Sequence, residues 1–141
     1  MLNTIEKAAE NFCIHQMGTP CIKEKTVIQS DNALISYIDI DTKENQYRIY
    51  LAQDQGFVQK VAQLFLDEDA SDAETLQDMT LETTNLIVGS AKVIAQEAGK
   101  NFEIQTPHFE KQGKFDTSYD HAITMQLDNQ NLTIAIKELN A

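Results

Sequence analysis

The chain has 141 residues, with 11 Lys and Arg against 22 Asp and Glu, giving a formal net charge of −11. That length suits one domain with a substantial core, spanning residues 1–141. The acidic balance excludes the basic footprint of a nucleic-acid-binding protein and the attraction of a basic surface to an anionic membrane. No run of about twenty apolar residues is available to cross a bilayer.

The N-terminal stretch, MLNTIEKAAENF, carries acids and no continuous apolar run. It does not read as a secretory signal, and the expected location is cytoplasmic. Leu2 to Gln16 reads instead as an amphipathic helix, with Leu2, Ile5, Ala9, Phe12 and Cys13 on one face and Asn3 with Glu6 as caps. Met17-Gly-Thr-Pro20 ends it. Cys13 and Cys21 fit neither zinc nor Cys-x-x-Cys spacing and are read as two small, buried or half-buried thiols. His15, His108 and His121 are isolated in sequence, so no metal site is expected.

A short extended segment is expected around Lys25 to Gln29, then a turn at Ser30-Asp-Asn32. Ala33 to Asp41 and Gln46 to Ala52 read as strands. Their connection, Asp41 to Asn45, is too short for a crossover, so the pair is antiparallel. Gln55-Gly56 breaks the second strand, and Phe57, Val58, Val61, Leu64 and Phe65 recur at helical spacing up to about Leu66. The acidic cluster Asp67-Glu-Asp69 places negative charge before the positive end of the next helix.

That next helix, Ser71 to Ala98, organises the chain. Ser71 and Glu74 have capping-box spacing, and Gly99 suits the left-handed conformation that ends helices. At about 100° per residue, Leu76, Thr83, Ile87, Ile94 and Ala98 share one side, flanked by Met79, Leu86 and Ala91. Asp78, Glu82, Asn85, Gly89, Lys92 and Gln96 form a stripe on the other, expected to be exposed. Asn is a mediocre helix former, and an interior Gly costs about 1 kcal/mol relative to Ala. Neither is needed for solubility alone, and Gly89 leaves room for another surface. On periodicity alone, the stripe is either an ordinary solvated face or a presentation surface.

After Gly99, Asn101 to Thr106 is a candidate strand with Phe102 and Ile104 on one face, ended or edged by Pro107. Lys111-Gln-Gly-Lys114 reads as a mobile loop. Ile123, Met125 and Leu127 alternate, as do Leu132, Ile134 and Ile136, across Asp128 to Asn131, giving a hairpin. The expected fold is α+β and two-layered: a mostly antiparallel sheet with long helices packed on one face.

No Gly-rich phosphate loop and no Gly-x-Ser-x-Gly elbow is present. Asp78 and Glu82 are one turn apart but on an exposed face, which does not favour the raised pKa of a general acid. Such a helix is better suited to presenting groups to another protein's active site.

The run Asp78-Met-Thr-Leu-Glu82-Thr-Thr-Asn85, followed by Leu86-Ile-Val-Gly-Ser-Ala-Lys92, resembles the signature helix of the CheC/CheX/FliY family of chemotaxis phosphatases. The family pattern is Asp or Ser, three residues, Glu, two residues, Asn, about twenty-two residues, Pro. Pro107 follows Asn85 after twenty-one residues, one fewer than the pattern. The motif occurs once, which makes the single-motif CheX branch the closer match.

The resemblance implies a CheX-like α+β fold and a homodimer formed through sheet strands. It also implies an enzyme that hydrolyses the aspartyl phosphate of a CheY-type response regulator, its partner being the phosphorylated receiver domain. In that reading Glu82 and Asn85 are catalytic: Asn85 orients the attacking water and Glu82 pairs with the regulator's active-site lysine. Asp78, Gly89 and Lys92 are partner-binding, and Pro107 is structural. The Mg²⁺ belongs to the regulator, and no cofactor is expected here. The alternatives are a CheX-like module that binds a regulator or a sibling chain without hydrolysis, and a structural dimerisation domain with an inert stripe. The presence of both Glu82 and Asn85 favours the enzyme.

Overall fold

The computed structural model describes residues 1–24, 27 and 30–139. Its centre is an antiparallel sheet of seven strands in the order β1-β6-β7-β3-β2-β4, with β5 also paired to β2. The strands are β1 (Ile22–Glu24), β2 (Ala33–Asp41), β3 (Gln46–Asp54), β4 (Glu103–Ile104), β5 (His108–Gly113), β6 (His121–Leu127) and β7 (Gln130–Glu138). Helices α1 (Leu2–Asn11), α2 (Gln55–Leu66) and α3 (Ala73–Glu97) pack against it. The extended segment expected at Lys25 to Gln29 lies largely outside the described residues, and β1 stands just before it.

Alternation within the strands decides which side chains meet the helices. Leu34, Ile38 and Ile40 of β2, Ile49 and Leu51 of β3, and Leu132, Ile134 and Ile136 of β7 share one core with Ile5, Phe57, Val61 and Ile87 of the helices. The opposite face carries a second, smaller core of Ala33, Ile35, Tyr50, Ala52 and Ala135, closed by Phe115 from the segment after β5. There Arg48 donates to both oxygens of Asp39, at 2.7 and 3.0 Å, and lies 4.2 Å over the Tyr37 ring.

The β6–β7 hairpin is tighter than its sequence implied. Leu127 pairs with Gln130, and Asp128 and Asn129 both take positive φ, 50° and 63°. That is the two-residue turn whose twist matches the strands it joins. Lys111-Gln-Gly113 is not a loop, because β5 runs to Gly113 and pairs with the start of β2. The expected strand from Asn101 to Thr106 is only β4, paired with the end of β2. Pro107 sits between the two, where a missing N–H costs no ladder bond. β3 extends to Asp54, and Gln55-Gly56 opens α2 rather than a gap. At Gly56 an added Cβ would run into the side chain of Gln130.

Two further readings are corrected at the N-terminus. Among the described residues no side chain caps α1, and its C-terminal end widens into a π turn, Phe12–Gln16. Cys13 and Cys21 are joined in a disulfide, their Cα atoms 5.9 Å apart. The π turn and Gly18, at φ +76°, reverse the chain tightly enough to bring the two sulfurs together. No sequence spacing encodes that reversal. Closing a loop with a separation of 8 residues restricts the unfolded chain by about 2.5 kcal/mol in the chain-entropy account. Cys13→Ser with Cys21→Ser should therefore lower the unfolding free energy by about that amount, read as an earlier urea midpoint with an intact folded spectrum.

Candidate functional site

Helix α3 carries the candidate site, and its two ends define where it sits. Its N-cap is Asp72, which accepts from the Thr75 backbone N–H at 2.8 Å, so the expected Ser71–Glu74 box is displaced by one residue. That hydrogen bond holds the Asp72 carboxyl below its ordinary pKa. Ser71 turns away to bond Gln59 of α2 and Glu68. At the other end, Gly99 takes φ +79°, Lys100 N–H reaches the Ala95 carbonyl and Gly99 N–H that of Gln96. This is a Schellman motif, which needs the left-handed glycine.

The buried arc of α3 contains Leu76, Met79, Ile87, Val88, Ala91 and Ala95, together with three threonines. Thr80, Thr83 and Thr84 each donate to the carbonyl four residues back, at 2.8 to 2.9 Å. The Thr84 hydroxyl also lies 2.7 Å from that of Ser36 on β2. Its single proton is used on the Thr80 carbonyl, so Ser36 is the donor. Gln53 of β3 donates to the same Thr80 carbonyl at 3.3 Å, and its own side-chain oxygen is buried without a partner among the described residues. α3 is thus tied to both central strands beside the turn that bears Glu82 and Asn85. Ile94, expected in the core, is only half-buried, and Ala98 is exposed beyond the last turn.

The opposite arc is open. Asp78, Glu82 and Asn85 are exposed, and their side chains make no hydrogen bond or ion pair among the described residues. The three span about 10 Å along the helix axis. An added Cβ at Gly89 would meet no atom within 4 Å, so nothing inside the protein requires a glycine there. Lys92 is less available: it turns about 80° away from Glu82, and its ammonium lies 3.5 Å from Glu103 of β4. The structure therefore groups Asp78, Glu82, Asn85 and Gly89, and sets Lys92 at the margin. Val93, 52% exposed, was missed. It falls about 20° from Glu82, and helical angle alone would have placed it on the stripe. Among the described residues, no cluster of three His, Cys, Asp or Glu side chains is placed to hold a metal ion, and no helix is long and apolar enough to cross a membrane.

The long helix α3, fixed across the antiparallel sheet, presents an acid, an acid and an amide outward. The chain belongs to the CheX family: the family model described as chemotaxis phosphatase CheX matches residues 35–136. Chemotaxis protein CheX from Vibrio vulnificus superposes with a TM-score of 0.80 at 20% identity, over 98% of this chain and 95% of that one. A CheX from Desulfovibrio desulfuricans gives 0.77 at 18% identity, over 97% of each chain. The CheX–CheY–BeF₃–Mg²⁺ complex from Borrelia burgdorferi gives 0.72 at 17%, over 97% and 96%. No curated protein matches the sequence significantly.

The Ser36–Thr84 pair yields a specific expectation. Thr84→Val leaves a buried Ser36 hydroxyl unpartnered and should cost about 1–3 kcal/mol. Ser36→Ala combined with Thr84→Val should recover most of that loss, because both partners are then apolar. A double-mutant cycle by urea denaturation measures the coupling.

Proposed function

We propose that this protein accelerates hydrolysis of the aspartyl phosphate of a CheY-type receiver domain by inserting the Glu82–Asn85 segment of α3 beside the phosphoryl group. The observation that carries this reading is the exposed, unpaired Glu82 and Asn85 on one turn of a braced helix in a CheX-family chain. The beryllofluoride-bound CheX–CheY complex from Borrelia burgdorferi, whose CheX shares the fold, supports a receiver as partner.

Phosphoryl transfer asks little covalent work of a protein; positioning and charge placement dominate. The receiver supplies the aspartate and its Mg²⁺. Asn85 has an amide that both donates and accepts. It holds the attacking water opposite the leaving aspartate oxygen. Glu82 forms a charge-assisted contact with the receiver's lysine and sets the register of the helix. Asp78 lies at the edge of the contact, and Gly89 lets the receiver backbone come close. Lys92 contributes a peripheral contact once Glu103 releases it, and Pro107 serves only the sheet edge.

Asn85→Ala should lower kcat by about one to two powers of ten with KM little changed, as for a contact made only in the transition state. Glu82→Ala should raise KM as well as lower kcat, each contact being worth about 1.5–3 kcal/mol. Stopped-flow decay of a phosphorylated receiver separates the two. Equal rates for wild type and Asn85→Ala would remove the catalytic assignment, and a complex with an unchanged decay rate would leave a binding module.

A homodimer is part of the same proposal. The apolar strand Ala33–Asp41 does not offer its edge, because it is paired on both sides. Among the described residues the sheet ends instead at β1 and at the β4–β5 line, where a second copy would add strands. Light scattering at micromolar concentration should give about 32 kDa, twice the 15.9 kDa chain mass, and a value near 16 kDa would exclude the dimer.

A further inference from the structure

The three residues of β1, Ile22–Glu24, lie at one end of the sheet and pair with Gln126, Met125 and Thr124 of β6. None of their side chains enters the core: all three are exposed, Ile22 to 65%. A strand that buries nothing is held by its ties to its neighbours. Among the described residues those ties are the ladder to β6, the ion pairs of Lys23 and one covalent bond. The Lys23 ammonium lies 3.2 Å from Glu6 and 2.7 Å from Glu10, both on α1. Lys23 is nearly half exposed, and ion pairs at the surface contribute little. The covalent tie is the Cys13–Cys21 bridge, Cys21 standing immediately before β1.

The two sulfurs of that bridge have unlike surroundings. Cys13 is buried at the end of α1, whose Ile5, Ala8 and Ala9 lie in the main core together with Phe12. Met17 is buried there too. Past Met17 the chain runs through the exposed residues Gly18, Thr19 and Pro20 to Cys21, which is half-buried at the margin of the same core. If the bridge is cut, apolar burial keeps the α1 side in place. The other side, from Gly18 to Glu24, loses its covalent anchor.

We propose that the Cys13–Cys21 bridge is a redox latch on the edge of the sheet: its reduction frees β1 and leaves β6 as the last strand at that end. The reductant is a dithiol, the class that keeps cellular thiols reduced. Its thiolate attacks the Cys21 sulfur, the more accessible of the two. The Cys13–Cys21 bond breaks as a mixed disulfide forms, and Cys13 leaves as a thiolate that takes up a proton. The second thiol of the reductant then attacks the mixed disulfide and frees Cys21. Two electrons have passed to the protein, both cysteines end as thiols, and the reductant ends as its own disulfide. The edge of β6 that faced β1 is then open to an added strand. The sheet end that a second copy meets therefore changes with redox state. This inference stands apart from the phosphatase reading.

The test is amide exchange by NMR on the folded full chain, oxidised and then with dithiothreitol, with a thiol count taken alongside. The count should rise to two, Cys13 and Cys21 being the only cysteines of the chain. On reduction the β6 amides that face β1, within Thr124–Gln126, should lose protection by about tenfold or more. Those joining β7 to β3 should remain protected. Cys13→Ser with Cys21→Ser should reproduce the reduced pattern and no longer respond to dithiothreitol. The latch is wrong if no thiol appears in the folded protein, or if the β6 amides keep their protection after reduction. It is equally wrong if protection falls to the same extent in β7 and α3, because the bridge then braces the whole fold and not its edge.

Discussion

The structure depends on how α3 is fastened to the sheet. One carbonyl, that of Thr80, receives the Thr84 hydroxyl and the Gln53 amide, and Ser36 completes the chain from β2. Apolar packing alone would allow the helix to slide or roll, since dispersion contacts have little direction. Buried hydrogen bonds have direction, and leaving one unmade is costly. Two strands and the helix are therefore fixed in one relative rotation, and the exposed arc points where it does because the buried arc is held.

A helix that supplies groups to another protein's active site must be stiff and must keep those groups unpaired until they are used. The Asp72 cap and the Gly99 motif close the ends of α3, and the threonine network braces its middle. Glu82 and Asn85 spend nothing on the interior, and both remain available. The cost is a helix face with an amide and a glycine where ordinary solubility would use better helix formers. A functional group held on a regular element is placed more accurately than one on a loop, which suits a reaction sensitive to the angle of a single water.

Much of this was legible in the sequence, for reasons that particular residues show. The stripe from Asp78 to Gly89 follows helical angle alone, and the alternation of Ile123 to Ile136 with Asp128 at its tip marks the hairpin. The second core was not legible, because Phe115 covers Tyr50 from a distant segment and has no period of its own. β5 reads as a polar loop because it is an edge strand with one wet face, and its pairing to β2 is a long-range choice. The Cys13–Cys21 bridge was hidden because it depends on a π turn that no short spacing encodes. Thr80 and Thr84 are weak helix formers by propensity; their value emerges only when Ser36 and Gln53 arrive from the sheet.

On the proposed reading, α3 supplies chemistry to a bound receiver and not merely a surface. Its most direct test is single-turnover decay of a phosphorylated CheY-type receiver as the concentration of this protein rises to saturation, with binding followed in the same mixture. The decay rate should climb with occupancy and level at a value well above the receiver's own. A saturating complex in which the phosphoryl group decays at the receiver's intrinsic rate would contradict it.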